Sequence, residues 1–172
     1  VALVSVMAGN NEIGTIQPVK EITQLAHEVG AYMHTDATQA IGKIPVSMRS
    51  WDVDYLSLSG HKFYGPKGIG VLAVKPKAPH TPLVHGGHQE GGKRAGTYNT
   101  ASIVGIGVAA ALAERDLEEE SKKLWRLREM LRVGIEERIP NVVVNGNQEH
   151  CLPGTLDVSF PHAEGESILL YL

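Results

Sequence analysis

The spacing of apolar positions changes period several times along the chain, and each change marks an element. Val1 to Met7 is a near-continuous apolar run, the pattern of a strand covered on both faces. From Pro18 to about Val29, apolar Val19, Ile22, Leu25, Ala26 and Val29 recur at helical spacing, with Pro18 suited to the first turn and Gly30 at the stop. Ala31 to Asp36 follows as a short strand closing on an acid. Strand, helix, strand predicts a βαβ unit, so the two strands run parallel and their carboxyl ends share one edge of a sheet. Val53 to Leu58 and Ile69 to Val74 read as two more strands, and the glycine-rich turn between them carries Lys62. Ile103 to about Leu117 predicts an Ala- and Gly-rich helix. Leu117 to about Ile139 predicts a second, charged helix, lined inside by Leu124, Leu127, Leu131 and Ile135 and stopped by Pro140. Val142 to Val144 and Leu156 to Phe160 read as strands of a smaller α/β unit, and a last helix starts near Glu164. The expected class is α/β, divided near Asp116 into a larger unit (1–116) and a smaller one (117–172).

Composition narrows the function classes. The chain has 172 residues, 42% of them hydrophobic, enough for a substantial core. Its 16 basic and 19 acidic residues are interspersed, which argues against a nucleic-acid-binding face, and no apolar stretch is long enough to cross a bilayer. The charge run from Glu114 to Lys123 reads as a solvated helix face. A single cysteine, Cys151, excludes an internal disulfide framework and a thiolate metal cluster. No stretch reads as a targeting segment, and a cytoplasmic location is expected. The chain opens inside a strand without an initiating methionine and stops on apolar residues. It therefore reads as an internal fragment that folds poorly alone, with apolar surface and open edges uncovered.

The chemistry centres on Lys62. One reading is a solvated lysine in a surface hairpin whose glycines serve only the turn. The other is a Schiff-base lysine, with Ser59 and His61 as donors to an anion and Gly60 allowing close backbone approach. Gly65-Pro66-Lys67-Gly68-Ile69-Gly70 is not a nucleotide phosphate loop, because it lacks the G-x-x-x-x-G-K-[ST] pattern and opens a strand. Two other strand ends bear on the choice: Asn11 lies just after the first strand, and Asp36 with Gln39 after the second. Asp36 alone is more simply read as the acceptor of a capped turn. Ligands of open α/β sheets bind at such carboxyl ends. The Gly-, Pro- and His-rich stretch from Pro76 to Thr100 reads as a long loop, of a length that in compact domains is usually either functional or disordered. In it Arg94, Gly96 and Thr97 precede a helix start and suit an anion. His85 and His88 lack the partners a metal site needs, and no metal is expected.

An imine-forming lysine, an acid at a neighbouring strand end, hydroxyl and imidazole donors and an anion loop together make up what pyridoxal phosphate requires. The chain also resembles the cysteine desulfurase family of class-V, fold-type I pyridoxal-phosphate enzymes along essentially its whole length. The matching strings are Asn10-Asn11-Glu12-Ile13-Gly14, His34-Thr35-Asp36-Ala37-Thr38-Gln39, Ser59-Gly60-His61-Lys62 with Tyr64 to Gly70, and His85 to Glu90 through Arg94-Ala95-Gly96-Thr97. The first string points to the nitrogen-fixation and iron–sulfur-cluster-assembly subgroup.

The resemblance implies a mostly parallel large-domain sheet with helices on both faces, plus part of a smaller α/β domain. It implies Lys62 as the lysine bonded to the cofactor, Asp36 at the pyridinium nitrogen, Asn11 and Gln39 near the phenolic oxygen, and Ser59 and His61 at the phosphate. Thr97 would reach the phosphate from the partner subunit of a homodimer. The implied reaction converts L-cysteine to L-alanine and leaves sulfur as a protein persulfide, for transfer to an acceptor or scaffold protein. The family's nucleophilic cysteine and its carboxylate-binding arginine lie downstream of Leu172, and its ring-stacking histidine lies upstream of Val1. The fragment alone is expected to be inactive. Cys151 is not that nucleophile; it reads as a loop or semi-buried thiol. The alternatives are a selenocysteine lyase, another class-V aminotransferase, or a catalytically incomplete interaction module.

Overall fold

The computed structural model describes residues 1–172. Strands β1 (Leu3–Met7), β2 (Tyr32–Asp36), β3 (Tyr55–Ser59) and β4 (Gly70–Val74) form one sheet in that order. The β1–β2 and β2–β3 pairs are parallel and β3–β4 is antiparallel. Helix α1 (Val19–Glu28) makes the crossover from β1 to β2, as the apolar spacing predicts. The short helix α2 (Met48–Trp51) is capped by Ser47, whose side chain accepts from Ser50 N–H.

Strand alternation sorts the side chains between two faces. Val4, Val6, Met33 and Leu56 pack with Val19, Ala26, Ala31 and Val53 into the main core beneath α1. Leu3, Met7, Tyr32 and Leu72 point to the opposite face and are 51%, 41%, 40% and 50% exposed. The apolar run at Val1 to Met7 is therefore covered on one face only, because a single layer packs against β1 in this chain. On the open face a polar row crosses three strands: Ser5 Oγ meets His34 Nδ1 at 2.7 Å, and His34 Nε2 meets Ser57 Oγ at 3.0 Å.

After β4, a loop containing a 3-10 turn at Gln89–Gly92 leads to α3, a continuous helix of 39 residues from Thr100 to Arg138. Sequence spacing predicts two helices here, meeting near Leu117. No proline or glycine interrupts residues 108–133, and good helix formers carry the helix through. The charged stretch adds one-turn ion pairs between Glu118 and Lys122, Glu120 and Lys123, and Arg132 and Glu136. The charge run is thus a solvated helix face, as read. Strands β5 (Val143–Val144) and β6 (Val158–Ser159) pair antiparallel and are shorter than the apolar runs suggest, and α4 (Gly165–Tyr171) follows.

The segment after β5 returns to the first loop. Cys151 bridges Thr15, Leu152 N–H donates to Gly14 C=O at 2.8 Å, and Asn147 N–H donates to Thr15 Oγ1. Buried Arg128 anchors this segment to α3 through Thr155 C=O, at 2.7 Å, and through Gln148.

Candidate functional site

The parallel register brings three strand ends together. Met7 aligns with Asp36 and Asp36 with Ser57, so Asn10-Asn11, Asp36 and Ser59 all emerge at one edge. Period-two alternation also sets Asp36, Ser57 and Ser59 on the same face of the sheet as His34.

Each residue at this edge is held by its own turn. Asn10 Oδ1 accepts from the N–H groups of Glu12 and Ile13, both at 2.9 Å, which leaves Asn11 exposed at the tip. Gly14 closes this loop at φ +73°, and a Cβ there would lie 2.8 Å from Thr155 Cβ, so only glycine fits. Asp36 Oδ1 accepts from Thr38 N–H at 2.8 Å, which is the capped-turn role, while Oδ2 has no hydrogen-bond partner. Gln39, in the following turn, accepts at Oε1 from Lys43 Nζ at 3.0 Å.

β3 runs directly into a 3-10 turn at Gly60–Phe63 with Ser59 as its cap residue. Ser59 Oγ lies 2.8 Å from His61 Nδ1, so the two donors expected to serve one anion are already adjacent. The turn is compact: Gly60 N–H donates to Ile69 C=O, Gly65 N–H donates to Gly60 C=O, and a Cβ at Gly60 would stand 3.0 Å from Ile69. Phe63 is buried against Ile106 and Ala109 of α3, which fixes the turn, while Lys62 itself is exposed. Lys62 and Lys43 both line a cavity of about 570 Å³ between this turn and α3, walled by Ile41, Phe63, Leu112 and Leu124. Burial, and after it the charge of Lys62, pulls the Lys43 ammonium below the ordinary lysine pKa.

The long loop contributes less in this chain. Thr97 is exposed, and no hydrogen bond joins it to the strand-end residues. Arg94 turns back on its own loop and donates to Ala95 C=O at 2.8 Å. Cys151 is buried, and burial pushes its thiol pKa up, the opposite of what an attacking thiolate needs. Sequence reasoning missed two features of this edge: the Ser5–His34–Ser57 row and the contact of Lys43 with Gln39. The second had a visible signal, since residues 39 and 43 are one helical turn apart.

An α/β protein whose acid, amide, hydroxyl, imidazole and lysine groups gather at the carboxyl edge of a mostly parallel sheet has the layout of a strand-end ligand site. Residues 1–172 match the aminotransferase class-V family, and the chain belongs to it. It is 51% identical over 171 residues to a cysteine desulfurase of Gluconacetobacter diazotrophicus, covering 99% of this chain and 43% of that protein. Against the cysteine desulfurase NifS of Azotobacter vinelandii it is 46% identical over 172 residues, again covering 43% of the relative. A solved structure described as a NifS-like protein superimposes with a TM-score of 0.93 at 43% identity, covering 98% of this chain and 46% of that one. The chain therefore spans under half the length of the relatives it matches.

Proposed function

We propose that this chain is the lysine-bearing part of a pyridoxal-phosphate-dependent cysteine desulfurase. The observation that supports the reading is that β2 and β3 end side by side, with Asp36 aligned with Ser57 and keeping one carboxylate oxygen open, and Ser59 meeting His61 in the turn that carries Lys62. The donor set suits the cofactor: a carboxylate for a protonated ring nitrogen, amides for a phenolate, hydroxyl and imidazole for a phosphate, and an amine for an aldehyde. Bound there, the cofactor supplies an electron sink that eases bond-breaking at the substrate's α-carbon.

In this reading Lys62 Nζ anchors the cofactor and afterwards moves protons at the substrate α-carbon. Asp36 keeps the proton on the ring nitrogen. Asn11 and Gln39 hold the phenolic oxygen, and Ser59 and His61 hold the phosphate, with Thr97 joining from the partner subunit of a homodimer. L-cysteine and a protein thiol give L-alanine and a protein persulfide: the substrate C–S bond breaks, an S–S bond forms, and the carbon takes a proton. The persulfide sulfur then passes to an acceptor serving iron–sulfur cluster or other sulfur-compound biosynthesis. A cytoplasmic location belongs to the same reading, and no helix here is long and apolar enough to cross a membrane. So does a division near residue 116; its support is that the four-stranded sheet is complete by Val74 and a separate strand pair follows α3.

The test uses the full-length protein loaded with pyridoxal phosphate. Borohydride reduction followed by mass mapping is expected to find the cofactor on Lys62, and added L-cysteine is expected to yield alanine and persulfide in equal amounts. A modified lysine elsewhere sinks the site assignment. Turnover of selenocysteine without turnover of cysteine would make the protein a selenocysteine lyase.

A further inference from the structure

We propose that Lys43 is a positioning residue for this site: by donating to Gln39 Oε1 it fixes the flip of the Gln39 amide, so that the N–H₂ end is the one offered to the ligand. The inference rests on the reading above, in which Gln39 serves the cofactor's phenolic oxygen.

A glutamine amide has an acceptor end and a donor end of nearly equal size, and its neighbours decide which way it points. Lys43 has donors only, so its 3.0 Å contact assigns Oε1 to the lysine and leaves both N–H groups of Nε2 free. A phenolate oxygen accepts only, and it needs that free donor end. Without Lys43 the two flips become close in energy, and one of them sets oxygen against oxygen.

The lysine is held in place for this task. Residues 37–44 wind in successive tight turns, which puts Gln39 and Lys43 on one side. At Gly42, with φ +71°, a Cβ would lie 3.2 Å from both Phe63 Cβ and Ala113 Cβ, so the turn is wedged between the Lys62 segment and α3. The Lys43 ammonium is half-buried in the cavity that Lys62, Asp116, Glu120 and Lys123 also line.

The test compares full-length Lys43→Met, Lys43→Arg, Gln39→Leu, Gln39→Glu and the Lys43→Met/Gln39→Leu double variant, each checked for native circular dichroism. The readouts are the Kd of the apoprotein for pyridoxal phosphate and the pH midpoint of the cofactor's visible absorbance. Lys43→Met is expected to weaken binding about twofold, as two flips of similar energy require, and to shift the midpoint, with Lys43→Arg recovering most of both. Gln39→Glu, which lacks the donor end, is expected to lose at least as much as Gln39→Leu. In the Gln39→Leu background Lys43→Met should add nothing. Unchanged binding in Lys43→Met beside weakened binding in Gln39→Leu overturns the inference alone, as do additive losses in the double variant. Unchanged binding in both Gln39 variants overturns it together with the assigned role of Gln39. Whether the cofactor sits on Lys62 at all is answered separately by the borohydride map.

Discussion

The two ends of the parallel strands hold similar side chains in opposite conditions. At the amino-terminal end, buried Asp54 accepts from Met33 N–H at 2.8 Å and meets His27 Nε2 at 2.9 Å, while Lys75 Nζ lies 2.5 Å from Asp52 and 3.9 Å from Asp54. Each of these four groups has a partner within the chain. At the carboxyl end, Asp36 spends one oxygen on its own turn, and Lys62 is exposed without a hydrogen-bond partner. A polar cluster that satisfies itself holds strands together, whereas one left open has capacity to bind something else. The same residue types are used up in structure at one end and left available at the other.

Five substitutions test this contrast, and the largest effect falls at the open end. Lys62→Ala in the full-length protein is expected to lower alanine formation from L-cysteine about a thousandfold while leaving the melting temperature of the apoprotein unchanged. Near-normal turnover would remove Lys62 from the chemistry.

The next largest effect falls at the closed end. Asp54→Ala leaves the buried Met33 N–H and His27 without their acceptor and is expected to cost about 3 kcal/mol in urea unfolding. Asp36→Ala should cost about 1 kcal/mol or less, since it loses one exposed turn bond, yet abolish retention of the cofactor on gel filtration. Equal stability losses for the two would erase the distinction.

Gly14→Ala probes the backbone that presents Asn11. Strain at φ +73° and the approach to Thr155 are expected to cost about 2 kcal/mol by the same unfolding measurement.

The smallest effect is electrostatic. The hydrogen bond from Lys75 holds the Asp52 carboxyl below its ordinary pKa. A depressed carboxylate stabilises the fold above its unfolded-state pKa, and that contribution disappears as pH falls through the depressed folded-state value. Because Asp52 is largely solvated, the contribution is roughly 0.5 kcal/mol or less. Asp52→Asn should therefore flatten the acid limb of the stability curve slightly and leave neutral stability almost unchanged. A loss at neutral pH as large as that of Asp54→Ala would place Asp52 among the buried pairs.

Much of the sheet was legible along the chain. Helical and alternating spacings place α1, β2, β3 and β4 within a few residues of their observed limits, and the strand–helix–strand order, by making β1 and β2 parallel, implies that Asn11 and Asp36 share an edge. Helix α3 was misread as two because the change from Ala- and Gly-rich to charged composition resembles a boundary, although helical propensity runs straight through it. β5 and β6 proved short because valine-rich runs signal strand propensity without saying how many residues find a partner.

The residue types at the candidate site, their order and the parallel direction of β1 and β2 were determined by local sequence, since periodicity and turn chemistry act over a few neighbouring residues. Tertiary structure decided which groups meet. It aligned Asp36 with Ser57 across β2 and β3, wedged the turn at Gly42 between Phe63 and Ala113, and buried Cys151 beside the loop that carries Asn11. Those outcomes depend on strand register and on packing between segments as far apart as Thr15 and Asn147. Contacts at that separation are fixed by the balance of the whole core and leave no periodic trace in the sequence around either partner.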